Sequence, residues 1–170
     1  MGSSSATHGW TRRLPTCSGE GMNTRSVSVS RVVPASPANV FAVLSDASLH
    51  PVIDGSGMVR GAHGTPEPLT LGSRFGMDMK LSLLPYRISN KVVEFEQDRL
   101  IAWQHFGKHR WRYELEAVEG GTKVTETFDW STSVFPKAIE LAGYPKKHPA
   151  NMTRTLERLE AFLVNRSPAT

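Results

Sequence analysis

A carboxylate shares a predicted apolar interior with aromatic residues in HRWRYELEAVEGGTKVTETFDWS, residues 109–131. The segment alternates apolar and polar residues on both sides of a Gly-Gly pair, which is the pattern of two strands joined in a hairpin. Because alternate side chains of a strand share a face, Glu126 points to the same side as Phe128 and Trp130. An apolar pocket raises the pKa of a carboxyl group, which tunes it to hold or release a proton near neutral pH.

Two more groups with proton chemistry are predicted to face this interior. Tyr113 falls in the inward alternation of strand 110–118, and His105 falls in that of strand 100–106. Together with Glu126 they form a candidate catalytic set, because a proton shuttle for aldol-type cyclisation or dehydration needs such groups. Other interpretations stay open: the groups can anchor the polar head of a ligand, and a bulge can turn Glu126 outward.

The remaining inward positions are bulky and apolar. They include two methionines of strand 73–83, whose flexible side chains suit a guest of irregular shape. The predicted ligand-binding residues, taken from the strands and the last helix, are Phe75, Met77, Met79, Leu81, Trp103, Trp111, Phe128, Trp130, Met152 and Leu156.

The elements that must position these residues follow from hydrophobic periodicity and turn signals. Residues 26–33 form a strand, and a short helix capped by Ser36 and a second short helix within 45–54 follow it. A weak strand at 58–62 precedes a run of strands at 73–83, 86–97, 100–106, 110–118 and 122–132. One or two helical turns are predicted at 134–142, and Pro145 and Pro149 stop any continuation of them. An amphipathic helix is predicted at 151–165 with Asn151 as its N-cap.

This order predicts an α+β fold of the helix-grip type. Strands joined by short turns form an antiparallel meander, whose apolar face must be covered by another element. The helix at 151–165 is the natural cover, with Met152, Leu156, Leu159 and Leu163 on one face. We therefore expect a curved sheet wrapped around this helix, two short helices after the first strand, and a hollow between sheet and helix that can hold a ligand.

The chain resembles the SRPBCC superfamily of helix-grip proteins over residues 26–164, in ASPANVFAVLSDASLHPVID, LGSRF, WRYELEAVEGGTKVTETFDWS and RTLERLEAFL. That superfamily contains birch-pollen-allergen-like proteins, START domains and the polyketide cyclase/dehydrase family. The resemblance implies a cavity for a hydrophobic small molecule such as a lipid or a polyketide. It transfers no catalytic residue, because the superfamily shares none.

Composition limits the other classes of function. At 170 residues we expect one domain, residues 26–165, after a disordered tail at 1–25. The lone Cys17 permits no intramolecular disulfide, and no apolar run spans a bilayer, so we expect a cytoplasmic protein without stable membrane insertion. The net charge of +4 is scattered rather than clustered, which argues against a nucleic-acid partner.

Cofactor sites are not predicted. His105 and His109 are expected to splay apart across a strand end, which argues against a metal site. His50 and Asp54, four residues apart on a short helix near the cavity mouth, are interpreted as a surface hydrogen bond. The glycine-rich segment 55–64 lacks the phosphate-loop lysine, and no nucleophile elbow is present.

Three functions are compatible with these patterns. The first is binding of a hydrophobic small molecule in the cavity without metal or organic cofactor. The second is a cofactor-independent aromatase/cyclase or dehydratase that uses His105, Tyr113 and Glu126. The third is a protein-interaction module resembling a chaperone cofactor, with a filled core. The ligand and the oligomeric state do not follow from the sequence.

Overall fold

The computed structural model describes residues 25–64 and 68–166, so residues 1–24 of the predicted tail lie outside the described part. Within that part, seven strands form one antiparallel sheet. They are β1 (Ser26–Val33), β2 (Val59–His63), β3 (Arg74–Leu81), β4 (Leu84–Glu96), β5 (Leu100–Gln104), β6 (Arg110–Val118) and β7 (Gly121–Asp129). The spatial order is β1-β7-β6-β5-β4-β3-β2, a meander that β1 joins beside the last strand.

The helices are α1 (Pro37–Leu44), α2 (His50–Ile53), α3 (Pro136–Leu141) and α4 (Tyr144–Arg166), with a short 3-10 helix at Ala47–Leu49. The first helix begins as predicted, because the Ser36 side chain accepts a hydrogen bond from the Asn39 backbone N–H at 3.3 Å. A long C-terminal helix against a curved antiparallel sheet, with short helices after the first strand, confirms the predicted helix-grip fold. No described helix combines the length and the apolar character needed to cross a bilayer.

The last helix is longer than the sequence predicts. It begins at Tyr144 and continues through Pro149, so the predicted N-cap at Asn151 is wrong, and so is the prediction that Pro145 and Pro149 stop helical structure. Pro145 lies in the first turn, where backbone N–H groups have no intrahelical partner in any case. Pro149 removes one hydrogen bond, to the Pro145 carbonyl, without ending the helix. The extension places His148 on the helix, where it lines the cavity together with Asn151.

The buried face of α4 has two functions along its length. Its C-terminal half carries Leu156, Leu159 and Leu163 into the main core, where α1 contributes Val40 and Leu44. Its N-terminal half carries His148, Asn151 and Met152, which line the space between the helix and the sheet that is the cavity described below. The helix therefore seals the core at one end and forms a wall of the cavity at the other.

Residues 54–58, here called the strap, link edge strand β2 to α4. The Gly55 N–H donates to Thr155 Oγ1 at 3.0 Å, and Arg154 Nε donates to the Gly55 carbonyl at 2.9 Å. Asp54 holds the strap in shape, since its carboxylate accepts hydrogen bonds from the backbone N–H groups of Ser56 and Val59. A Cβ at position 55 would lie 2.2 Å from the Asn151 carbonyl oxygen, so only glycine fits this close approach.

Candidate functional site

A cavity of about 600 Å³ lies between the concave face of the sheet and the N-terminal half of α4. This volume is within the range of roughly 300–1,000 Å³ that is typical of small-molecule sites. Of the ten predicted ligand-binding residues, the wall contains Phe75, Met77, Met79, Leu81, Trp103, Trp111, Phe128 and Met152. Their role as ligand contacts stays a prediction.

Two of the predicted residues, Trp130 and Leu156, do not line the cavity. Trp130 follows the end of β7, and its indole N–H donates to Glu140 Oε1 at 3.1 Å, which directs the ring towards α3. Leu156 lies one turn beyond Met152, where α4 already touches the sheet, and it belongs to the packed core. The strand and helix periodicities predict the inward face correctly, but they do not show where along that face the packing ends and the cavity begins.

The inner end of the cavity contains a buried tyrosine-glutamate pair. Tyr113 on β6 is the register partner of Glu126 on β7, and the Tyr113 hydroxyl donates to Glu126 Oε1 at 2.9 Å. Both residues are buried, at 5% and 3% exposure. Glu126 Oε2 has no hydrogen-bond partner among the described residues, so one oxygen of the carboxyl group is free to bind a guest.

Burial determines the protonation state of this pair. It raises the pKa of Glu126 to about 8, against the lowering effect of the Tyr113 hydrogen bond and with a smaller raising contribution from the Asp54 carboxylate. Burial also raises the pKa of Tyr113 well above its ordinary value, and the charge of Glu126 adds to this effect. Glu126 is therefore mostly a neutral carboxylic acid at pH 7, and it can donate a hydrogen bond from Oε2 into the cavity.

Aromatic rings pack around the pair. Trp103 stacks on Tyr113 with ring centroids 5.4 Å apart and on His50 at 4.9 Å. His50 is buried, its Nε2 lies 2.9 Å from the Leu44 carbonyl oxygen, and burial lowers its pKa. The interpretation of His50 and Asp54 as a surface hydrogen bond is wrong, because α2 packs over the cavity and both residues line it. The His50 and Asp54 side chains each hydrogen-bond to backbone groups rather than to each other.

The outer end of the cavity contains three histidines, His105, His109 and His148. The rings of His105 and His109 lie 4.0 Å apart, whereas the sequence predicted that they splay. They meet because β5 ends at Gln104 and the connection to β6 turns back sharply at Lys108, whose φ is 59°. His148 approaches from α4, with its ring 4.4 Å from that of Phe128.

These three imidazoles have unused hydrogen-bonding capacity. The Nδ1 atoms of all three are buried and have no partner among the described residues. Burial lowers the pKa of His105, and it lowers the pKa of His148 to about 4. The pKa of His109 is also about 4, through burial first and then through the neighbouring His105 and His148. All three are therefore neutral at pH 7, each offering one donor and one acceptor nitrogen.

The cavity opens to solvent beside the histidines. Phe106 is 81% exposed and Leu81 is 55% exposed, and both belong to the wall. Tyr86 and Tyr144 complete this rim, with 40% and 42% exposure. Apolar and aromatic side chains therefore surround the entrance, and the deeper wall at Phe75 and Trp103 is closed to water. Among the residues described, no set of three or more His, Cys, Asp or Glu side chains is arranged to hold a metal ion.

Sequence reasoning missed several polar residues of the wall. His148 was missed because Pro145 and Pro149 were expected to stop helical structure at this point. His109 was missed because the turn that directs it inward has no periodic sequence pattern. Asn90 follows the ordinary alternation of β4 and is buried at 3% exposure, so a systematic application of the strand period would have found it. The third alternative, a protein-interaction module, expected a filled core, whereas the structure contains a cavity.

Residues 24–163 match the family described as polyketide cyclase / dehydrase and lipid transport. Two curated relatives, Uncharacterized protein Rv0088 of Mycobacterium tuberculosis strain ATCC 25618 / H37Rv and Uncharacterized protein MT0096 of strain CDC 1551 / Oshkosh, are 39% and 38% identical over 146 residues. The alignments cover 83% of this chain and 63% of each relative, so the chain spans less than two thirds of their length.

Solved structures share the fold at low sequence identity. A crystal structure of a Rhodobacter sphaeroides protein has a TM-score of 0.67 at 18% identity and covers 88% of this chain and 97% of its own. The solution structure of the AHSA1-like protein from Aeromonas hydrophila has a TM-score of 0.61 at 18% identity, with coverages of 85% and 99%. At this identity the likeness concerns the fold alone.

Proposed function

The chain belongs to the polyketide cyclase / dehydrase and lipid transport family, and we propose that it binds a hydrophobic small molecule, a lipid or a polyketide-like compound, inside the cavity. The single observation that carries this proposal is the cavity itself, about 600 Å³ between the sheet and α4. Its wall is mainly apolar and aromatic and opens to solvent at one end, which suits the entry and burial of an apolar guest.

Glu126 and Tyr113 are the proposed polar anchor at the inner end. Because Glu126 is mostly protonated at pH 7, its unpartnered Oε2 offers a hydroxyl donor rather than a negative charge. A ligand carbonyl or hydroxyl oxygen placed there would accept this hydrogen bond in a site without water competition. The anchor would therefore favour a neutral oxygen group on an otherwise apolar molecule.

Binding is tested with N-phenyl-naphthylamine, a neutral dye that fluoresces in apolar surroundings. Met79 lines the cavity, so Met79→Trp should fill part of it and lower the dye affinity by about tenfold or more, since the bulk displaces a buried guest. The matched control is Leu71→Trp, because Leu71 is 65% exposed and lies outside the cavity wall. Equal, saturable dye binding by both variants and the unmodified chain would contradict the proposal.

A second candidate function, cofactor-independent cyclisation or dehydration, is favoured by the state of Glu126. A buried carboxylic acid with a pKa of about 8 and a free oxygen is suited to donate a proton to a ligand carbonyl and to take one back at neutral pH. His105, the third member of the predicted set, lies at the other end of the cavity. Glu126 and Tyr113 would therefore act on a substrate without the participation of His105.

The enzymatic candidate is tested by Glu126→Gln, which keeps the shape and removes the proton. Turnover of a poly-β-ketone substrate should fall by roughly 100-fold or more, in line with the usual contribution of general acid-base catalysis. Binding of the same substrate should change by less than about threefold. A loss of binding together with unchanged turnover per bound molecule would assign Glu126 to anchoring alone.

A further inference from the structure

We propose that His105, His109 and His148 form a second polar subsite, which binds an acidic oxygen group, such as a carboxylate, at the far end of the same ligand. The inference rests on the proposed function, because it requires a guest in the cavity. It specifies that guest as a molecule with a neutral oxygen group at one end and an acidic one at the other.

The distance between the two subsites follows from the strand register. Tyr113 and Glu126 are partners, and the next inward pair along the same strands is Trp111 and Phe128. His109 is one further inward step away, four residues from Tyr113, which corresponds to about 13 Å along a strand. The wall between the subsites is formed by the rings of Trp111 and Phe128, 4.9 Å apart. A guest that reaches both subsites therefore has an apolar middle of roughly the length of a twelve-carbon chain.

The outer subsite has three buried nitrogens without a hydrogen-bond partner among the described residues. The Nδ1 atoms of the three histidines are buried without a hydrogen-bond partner, and such groups are destabilising unless something satisfies them. His109 and His148 both contact Phe128, with ring centroids at 5.3 and 4.4 Å, and His105 contacts His109. An oxygen group lying over Phe128 would be within reach of more than one imidazole.

Cationic residues close to the histidines in the sequence favour an acidic group. Lys108 lies in the connection between β5 and β6, and Lys146 and Lys147 lie in the first turn of α4; all three are exposed and outside the cavity wall. The wall's carboxyl groups, Asp54 and Glu126, belong to the inner end. The nearby carboxylate of α3, Glu140, is already bound by Arg25 and by the Trp130 indole N–H, and Asp129 at the end of β7 accepts from the Ser131 N–H.

Binding of an anion would change the protonation of the subsite. A carboxylate next to an imidazole raises the pKa of that imidazole, so one histidine takes a proton from solvent when the carboxylate binds. Only one is expected to do so, because His105 and His148 each lower the pKa of His109 when charged. Affinity for the carboxylate should therefore rise as the pH falls from about 7 to 6, where the carboxyl group of the ligand is still mostly ionised.

The test compares dodecanoic acid with dodecanol, which differ only in the head group, by calorimetry at pH 7 in phosphate and in Tris buffer. The acid should bind about tenfold or more tightly than the alcohol, as expected for a charge-assisted hydrogen bond, and with uptake of up to one proton. The alcohol should bind without proton uptake. Equal affinities and no proton uptake, with both probes bound, would overturn the inference and leave the proposed function standing.

Variants locate the effect. The double substitution His109→Gln and His148→Gln should remove the tenfold preference for the acid and the proton uptake, with both probes measured on the same variant so that a change in cavity shape acts on both. His63→Gln is the control, since His63 lies outside this cavity on β2. Retention of the preference by the double variant would contradict the assignment. Failure of both probes to bind the unmodified chain would overturn the proposed function as well.

A further test uses the unmodified chain and therefore does not depend on the correct folding of any variant. The imidazole Cε1–H signals of the three cavity histidines are followed by NMR as a function of pH, with and without dodecanoic acid. The acid should raise the pKa of at least one of the three to about 7, which for His109 or His148 is a rise of about three units from about 4, and dodecanol should not. Unchanged titration of all three with the acid bound would contradict the inference.

Discussion

The two ends of the cavity share one aromatic wall but are built and exposed differently. At the inner end, the register of β6 and β7 brings Tyr113 and Glu126 together in full burial. At the outer end, a turn and the first part of α4 bring the histidines together beside the entrance. The regular sheet thus fixes the inner group, whereas irregular segments form the outer one.

Burial has opposite effects on the pKa values at the two ends, and both are neutral at pH 7 as a result. It raises the pKa of Glu126 to about 8 and lowers those of His109 and His148 to about 4. Glu126 becomes negative only in base, and the three histidines become positive only in acid. The comparison teaches that burial can keep an acid at one end of a cavity and imidazoles at the other end uncharged at the same pH.

The largest expected effect concerns the stability contribution of Glu126. Its folded pKa of about 8 lies above its ordinary value of 4.5, so the unfolded state loses its proton first as the pH rises. Stability should fall by about 1.4 kcal/mol per pH unit between roughly pH 5 and 8 through this group. In Glu126→Gln this fall should disappear, and the variant should be more stable than the unmodified chain at pH 8. Urea denaturation at several pH values measures both.

Glu116→Gln is the matched control, because Glu116 is exposed and pairs with Lys123 on the outer face of the same hairpin. It should change stability by less than about 0.5 kcal/mol at every pH. A Glu126→Gln variant that keeps the full pH dependence would show that Glu126 is ionised in the folded chain and that burial does not dominate there.

The next largest effect concerns the strap that closes the inner end against α4. Gly55→Ala places a Cβ 2.2 Å from the Asn151 carbonyl oxygen, so the strap or the helix must move. We expect a loss of about 3 kcal/mol in stability, as for overpacking of a close contact. Gly61→Ala is the control, since a Cβ there lies 3.4 Å from an Asp78 oxygen. Thermal unfolding of both variants measures the difference, and equal melting temperatures would contradict the close contact.

A smaller effect is expected from Tyr113→Phe. The substitution removes the hydrogen bond from the Tyr113 hydroxyl to Glu126 Oε1, and we expect a loss of about 1 kcal/mol. Because that hydrogen bond lowers the pKa of Glu126, the carboxyl pKa should rise further in the variant. Carboxyl carbon shifts followed by NMR against pH report it, and a fall in the Glu126 pKa would contradict the assigned hydrogen bond.

The last prediction concerns the pH dependence of stability that arises at the outer end. His109 and His148 have folded pKa values of about 4, below their ordinary value of 6.5, so the unfolded state binds protons first as the pH falls. These histidines should therefore contribute a loss of stability between about pH 6.5 and 4. NMR titration of the imidazole signals measures the pKa values directly, and titration near 6.5 would show that the outer end is more hydrated than its burial indicates.

The sequence predicts the inner end better than the outer end for a physical reason. The period of two places Glu126, Tyr113 and Trp103 on one face, and neighbouring strands of a meander must then bring them together. No such period governs the turn at His109 or the helix start at His148. Their meeting depends on tertiary contacts that local sequence does not encode.

The extent of the cavity was also beyond local patterns. Met152 and Leu156 lie on one face of α4, yet Met152 lines the cavity and Leu156 is in the core. The difference depends on the angle at which α4 approaches the sheet and on the strap that holds it there. Helical periodicity specifies which side of a helix is buried, but not the distance to the opposite wall.

The most direct test of the proposed function uses the methionine methyl groups as reporters, since Met58, Met77, Met79 and Met152 all line the cavity. The chain is labelled with methyl-¹³C methionine, and N-phenyl-naphthylamine is added until binding saturates. We predict shift changes and dye-to-methyl nuclear Overhauser effects at these four methyl groups, with one dye bound per chain. Dye binding that leaves all four methyl signals unchanged, or the absence of binding, would contradict a cavity that holds a hydrophobic guest.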